Sequence, residues 1–285
     1  MQTGDPFPAS HGVQQPAGIA HLESLDCFLE QSLGDVFPCS LLAHNPARFT
    51  VLDVACRSGA WAFAVAAHCP AASVVGIDHT PEAIAYARSQ AAHRNVQNVT
   101  FAIMDARAAL HFPDHYFDAV HARLLLQILQ VEQWPAYLRE CMRVTRPGGV
   151  ICLTEYERGS SSSPALEKLT ALATFALRLG GYSPSPDGAT IGLTTRLPRL
   201  LRETGCQQVQ VSSHVVEYSR GTPLYKPMSD LIAAAWPLLK PSLLELGLLL
   251  SEQAESLYQQ VQREIAAEDF CGSWPFLTAW GTKAL

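Results

Sequence analysis

The sequence is poor in charge. Only 16% of its 285 residues are Asp, Glu, Lys or Arg, against 48% that are hydrophobic, a balance that suits a soluble globular chain with a substantial core. Cationic clusters are missing as well. The 20 basic residues are scattered and outnumbered by 26 acids, for a formal net charge of −6, so no nucleic-acid partner is expected. Long apolar runs are absent: the greasiest stretch, LLELGLLL at 243–250, is short and carries Glu245, and no membrane span or membrane partner is expected. The opening MQTGDPFPASHGVQQPAG lacks a basic region followed by an apolar one. It is read as a poorly ordered arm rather than a secretory leader. None of the eight cysteines forms a CxxC pair. That removes a zinc knuckle or a thioredoxin-like motif and leaves packing thiols in a cytoplasmic protein, with no metal site. No internal repeat occurs.

What is present is alternation. From Thr50 the short β-branched run TVLDVAC precedes the alanine-rich GAWAFAVAAHC. SVVGID is a second strand pattern. TPEAIAYARSQAAHR starts a helix with Thr80 as N-cap and Pro81 at its first position. NVTFAIMD and FDAVHAR read as strands, WPAYLRECMRVT as a helix, and RPGGVICLTEYE as a turn feeding a fifth strand. Such alternation predicts an α/β fold, a Rossmann-like, mostly parallel sheet with helices on both faces. The expected divisions are an N-terminal arm and lid helix at 1–44 and a binding core at 45–156. A helical insert at 157–192 follows, then a core helix and strand at 193–221 despite Pro198. A second helical insert at 222–268 and a final core strand at 269–285 complete the chain. Seven strands are expected, the last antiparallel, with the inserts as lid material beyond the carboxyl ends of the strands, where open α/β sheets bind ligands.

The turn after the first strand is unusual. VLDVACRSGAWAFAVA, 51–66, places Ala55, Arg57 and Gly59 where nucleotide-binding turns usually carry three glycines. Two missing glycines weaken a dinucleotide reading, which asks for GxGxxG.

The ordered motifs resemble the class I S-adenosylmethionine-dependent methyltransferases, of the bacterial small-molecule type. VLDVACRSG looks like that family's first motif and VVGIDHTPEAIAYAR like its second. NVTFAIMDAR looks like the third, and FPDHYFDAVHARLLLQIL and RPGGVICLTEYE like the fourth and fifth. The pattern from Asp269 to Lys283, DFCG…W…LT.WG.K, is similar to the end of some bacterial members. The resemblance implies S-adenosyl-L-methionine as cofactor, S-adenosyl-L-homocysteine as product, and cofactor contacts from Asp53, Ala55, Arg57, Gly59, Asp78, His79, Asp105, Ala106 and His121. Asp78 is then the carboxylate that accepts both ribose hydroxyls. His79 lies against adenine, and Asp105 with the Ala106 N–H meets the adenine edge. Asp53 holds the amino group of the methionine end or the N–H groups of the turn. Arg57 at positive φ costs about 1–2 kcal/mol. Its side chain is expected to point outward, since the family's glycine lets backbone approach the ligand; the alternative is an inward course that pairs with the carboxylate of the cofactor's methionine end or obstructs it.

Methyl transfer is an in-line displacement in which the protein aligns, desolvates and sometimes removes a proton. His121 and Glu155, at the ends of the fourth and fifth strands, are the candidate catalytic residues. Arg123 and Tyr156 are the candidate substrate contacts. His214, Trp236, Trp274 and Trp280 are read as packed. HARL stands where an NPPY-type motif serves adenine or glutamine N-methylation, so a small-molecule acceptor under a lid is expected. Two alternatives stay open: a cofactor-binding protein that does not methylate, such as a cyclase or an inert scaffold, and an NAD-dependent dehydrogenase. The acceptor atom and the oligomeric state, a dimer included, are not written in the sequence.

Overall fold

The computed structural model describes residues 21, 24–26, 28, 29, 31, 32 and 49–285. Most of the expected arm lies outside them; the described residues at 21–32 are helical and are called α1. The core runs β1 (Phe49–Val54), α2 (Ala60–His68), β2 (Ala72–Asp78), α3 (Pro81–His93), β3 (Val99–Ile103), β4 (Phe117–Arg123), α4 (Trp134–Val144) and β5 (Thr145–Tyr156). Then come β6 (Ser160–Ser161), α5 (Pro164–Leu179), α6 (Leu197–Glu203), β7 (Gln207–Glu217), α7 (Tyr225–Glu245), α8 (Ser251–Ile265) and β8 (Gly272–Thr282).

The sheet order is β3-β2-β1-β4-β5-β8-β6, with β7 also on β8. β8 runs antiparallel to β5, β6 and β7, and the other pairings are parallel. The two-residue β6 makes eight strands rather than the expected seven; a strand that short has no period to read in sequence. Pro198 falls in the first turn of α6, where the missing N–H has no intrahelical role.

Side-chain alternation builds two apolar layers. On β5, Ile151 and Leu153 face the α4/α6 side, and Val150 and Cys152 face the α2/α3 side. A third apolar cluster joins α1, α5, α7 and α8 to Val216, Tyr218 and Phe276 at the ends of β7 and β8. The strand order reverses between β1 and β4, which opens a crevice at their carboxyl ends. Among the described residues no helix is long and apolar enough to cross a membrane. The six described cysteines are free thiols, four of them buried and Cys271 exposed.

Candidate active site

The turn from β1 to α2 holds its shape through an alternation of left-handed residues: Ala55 at φ 56°, Arg57 at φ 51° and Gly59 at φ 81°. Gly59 is needed twice over, because a Cβ there would sit 2.5 Å from Cζ of Phe101.

Arg57 does not point outward. It is 8% exposed. Its Nη1 donates to the Arg123 carbonyl at 3.1 Å, and its Nε lies 3.6 Å from Asp26 Oδ1. The physical reason is on α1. Leu25, Phe28 and Leu29 bury that helix against the third cluster, which brings Asp26 down onto the turn. The Asp26 carboxylate accepts the Ser58 N–H at 3.3 Å and the Ser58 hydroxyl, an anion at the start of α2. The guanidinium is drawn inward by that charge.

Asp78 ends β2. Its Oδ2 accepts the Arg57 N–H at 3.2 Å and its Oδ1 the Thr80 N–H at 2.9 Å. Thr80 is the N-cap of α3, as expected, but its side chain makes no capping bond. His79 lies 3.5 Å from Asp78 Oδ1 and is partly exposed. Asp105 follows β3. Arg107 grips it with a bidentate set of 2.9–3.1 Å bonds, and the Arg107 N–H adds another at 2.9 Å. Burial acts to raise the Asp105 carboxyl, but these bonds and the Arg107 charge, with His79 beyond, outweigh it and hold the group below its ordinary value. Ala106 is buried beside it.

Asp53 and His121 are register partners on β1 and β4, on the face that α2 covers. His121 Nδ1 lies 3.0 Å from Asp53 Oδ1. The imidazole stacks on Trp61 at 3.6 Å between centroids. Burial lowers its pKa to about 4, against the opposing pull of Asp53. The base role expected of His121 does not suit this placement: the buried ring stacks on Trp61 of α2 and its Nδ1 is spent on Asp53. Glu155 is likewise 1% exposed. Its Oε1 accepts the Leu125 N–H at 2.6 Å, and burial raises its pKa to about 8. It supports the sharp turn after β4, where Leu124 sits at φ 56°, rather than facing an acceptor. Arg123 is 7% exposed and offers its carbonyl to Arg57.

Beyond the strand ends lies a cavity of about 230 Å³, walled by α1, α5, α7 and the ends of β5 and β8. Tyr156, a candidate substrate contact, lines it with its hydroxyl 2.9 Å from Gln127 Nε2. Neither His121, Glu155 nor Arg123 reaches its wall. Trp274 lines it too, rather than filling core, and packs on Tyr156 at 4.9 Å. Trp236 is buried on Tyr258 as expected. His21, unread in sequence, lines the cavity with its Nδ1 buried and unpartnered among the described residues. Burial first, and Arg57 second, lower its pKa to about 4. The spacing of Leu25, Phe28 and Leu29 marks an amphipathic helix that would have pointed to α1.

Three carboxylates, Asp26, Asp53 and Asp78, therefore surround the turn against one guanidinium, Arg57. After burial, the carboxylates' fields push the Cys56 thiol further up, and Arg57 opposes them. Asp53 Oδ2 is buried with no hydrogen-bond partner among the described residues. Such a site suits a ligand of net positive charge with an amine donor, and it repels a pyrophosphate. S-adenosylmethionine, with a sulfonium, an ammonium and one carboxylate, fits that set of acceptors. NAD does not.

Residues 51–149 match the family described as "Methyltransferase domain". The demethylmenaquinone methyltransferase of Thermus thermophilus is 36% identical over 115 residues, covering 40% of this chain and 50% of that protein. The chain thus spans about half the length of that relative. Among solved structures, the YcgJ protein of Bacillus subtilis superposes with a TM-score of 0.54 at 17% identity, over 87% of this chain and 97% of that one. The phosphoethanolamine N-methyltransferase 2 of Haemonchus contortus, in complex with S-adenosyl-L-methionine, gives 0.52 at 18% identity, over 97% and 59%. Both show the shared fold. Residues 51–149, set in a sheet that reverses at β1/β4 and carrying the five ordered motifs, are thus similar to the methyltransferase domain family.

Proposed function

We propose that the protein transfers the methyl group of S-adenosylmethionine to a small-molecule acceptor held in the cavity beneath α1, α5 and α7. The observation that carries this is the negatively charged turn with its unpartnered Asp53 oxygen. Bound there, S-adenosylmethionine supplies an electrophilic methyl group. Asp78 takes the ribose diol and Asp105 the adenine amino group. Asp53, held in place by His121, accepts from the ammonium. Arg57, between Asp26 and the crevice, balances the carboxylate end. The chain's contribution to rate is alignment and exclusion of water. His21 is neutral above about pH 4 and stands on the cavity wall as an acceptor for a protic nucleophile.

Calorimetry with S-adenosylmethionine, S-adenosylhomocysteine and NAD tests the class. The first two should bind and NAD should not, and a methyl-acceptor screen should then give turnover. Asp78→Asn should weaken S-adenosylmethionine by about 1–3 kcal/mol, the range for a hydrogen bond to a charged group. Unchanged affinity in a folded variant would remove Asp78 from the diol.

We also propose that the segments 157–192 and 222–268, with α1, form a lid. α1 borders both places, since Asp26 touches the turn while His21 and Leu25 line the cavity. Limited proteolysis should show cleavage in these segments slowed by cofactor plus acceptor. Equal cleavage in both states counts against closure.

A further inference from the structure

We propose that the acceptor is an apolar molecule bearing one oxyanion, a carboxylate or a phosphate, and that Arg158 holds that head group. The word acceptor rests on the methyltransferase reading above; the binding site itself does not. Arg158 follows β5 and lines the cavity. Its backbone N–H donates to Glu157 Oε1 at 3.0 Å, but its guanidinium makes no hydrogen bond or ion pair with any described residue. Other half-buried arginines are committed. Arg143 is shared by Glu140, Asp114 and two carbonyls, and Arg178 donates to the Pro186 carbonyl.

Among the described residues no acid lines the cavity. The nearest in sequence, Glu157, spends its carboxylate on the N–H groups of Ile191 and Gly192 and on the Thr194 hydroxyl. Four neutral polar side chains of the wall are also occupied, and the His21 imidazole and the Tyr218 hydroxyl are further polar groups on it. Tyr156 and Gln127 bond to each other, and Thr170 and Thr174 donate to α5 carbonyls. Arg158 is thus the one permanent charge on the described wall, beside aliphatic and aromatic surface such as Leu166, Met228 and Trp274. A guanidinium is a planar fork of five donors that matches an oxyanion bidentately. Apolar walls strengthen its field and penalise leaving it unpaired. The group that completes it is an anion on an otherwise apolar ligand. This moves the anion-binding role from Arg123, where the sequence suggested it, to a residue on the cavity itself.

Calorimetry on the full chain without cofactor tests this, using phenylacetate, cinnamate and 4-phenylbutyrate against their amides, with phenyl phosphate as a further probe. At least one acid should bind about tenfold or more tightly than its amide, as a charged hydrogen bond allows. Arg158→Gln should abolish that preference, and Arg158→Lys should retain part of it. The tighter of phenyl phosphate and phenylacetate identifies the head group. A preference below tenfold throughout the series, or one that survives Arg158→Gln, overturns the proposal. Because no cofactor is present, failure to bind S-adenosylmethionine in the separate titration would sink the methyltransferase reading and leave this result intact.

Discussion

Arg57→Gly should destabilise the protein by about 2–4 kcal/mol. Two small effects act on the turn and one large effect acts on α1. Glycine relieves the left-handed strain, worth about 1–2 kcal/mol, and loosens the unfolded chain, which costs about 0.4–1 kcal/mol. The large effect is electrostatic. Asp26 is 4% exposed, and without Arg57 its carboxylate keeps, among the described residues, the Ser58 N–H and hydroxyl. Breaking a buried pair by removing one partner costs about 3–5 kcal/mol, because the remaining charge is uncompensated. Asp26→Asn in the Arg57→Gly background removes that charge and should recover most of the loss. Urea unfolding of the two single variants and the double variant closes the cycle. Strictly additive losses would show that Asp26 and Arg57 do not act together. The same variants report on ligand binding. If S-adenosylmethionine binds Arg57→Gly and not the wild type, the Arg57–Asp26 pair is a plug in the turn rather than part of its binding surface.

Glu155→Gln should gain stability over the wild type as pH rises. Burial raises the Glu155 pKa to about 8 from an ordinary 4.5, against the Leu125 N–H and the Arg57 charge. A carboxyl whose folded pKa is raised binds more protons in the folded state than in the unfolded state between those two values. Stability is therefore fully present below about pH 4.5 and is lost as pH rises through about 8. The shift corresponds to a loss on the order of 3–5 kcal/mol, and it is absent when the side chain cannot ionise. Gln keeps an oxygen for the Leu125 N–H. Denaturant midpoints at pH 5, 7 and 9 should diverge progressively in favour of the variant; parallel curves would mean that Glu155 ionises normally. His121 acts on the other flank. Its pKa, lowered to about 4 from 6.5, makes both proteins lose roughly 3 kcal/mol as pH falls from 6.5 toward 4. That loss is common to the pair and cancels in their difference.

The sequence alone determined the order of strands and helices, since each element declares itself locally. TVLDVAC, SVVGID and VICLTEYE are apolar, β-branched runs, Pro81 opens a helix, and Gly59 marks a turn that no larger residue fits. It also placed Asp53, Asp78 and Asp105 at or just beyond strand ends, because strand length and the alternation with helices fix where an end falls. Tertiary structure decided which way side chains point and what meets them. His121 and Glu155 are at strand ends but face packed helices and turns, since alternation sends neighbouring residues to opposite faces and only packing tells which face is covered. The inward course of Arg57 depends on Asp26, 31 positions earlier, delivered by a helix whose apolar stripe docks on α5, α7 and α8. Arg158 and His21 share a cavity though they are 137 residues apart. Each of these contacts is set by long-range packing, which a local pattern of residues does not encode.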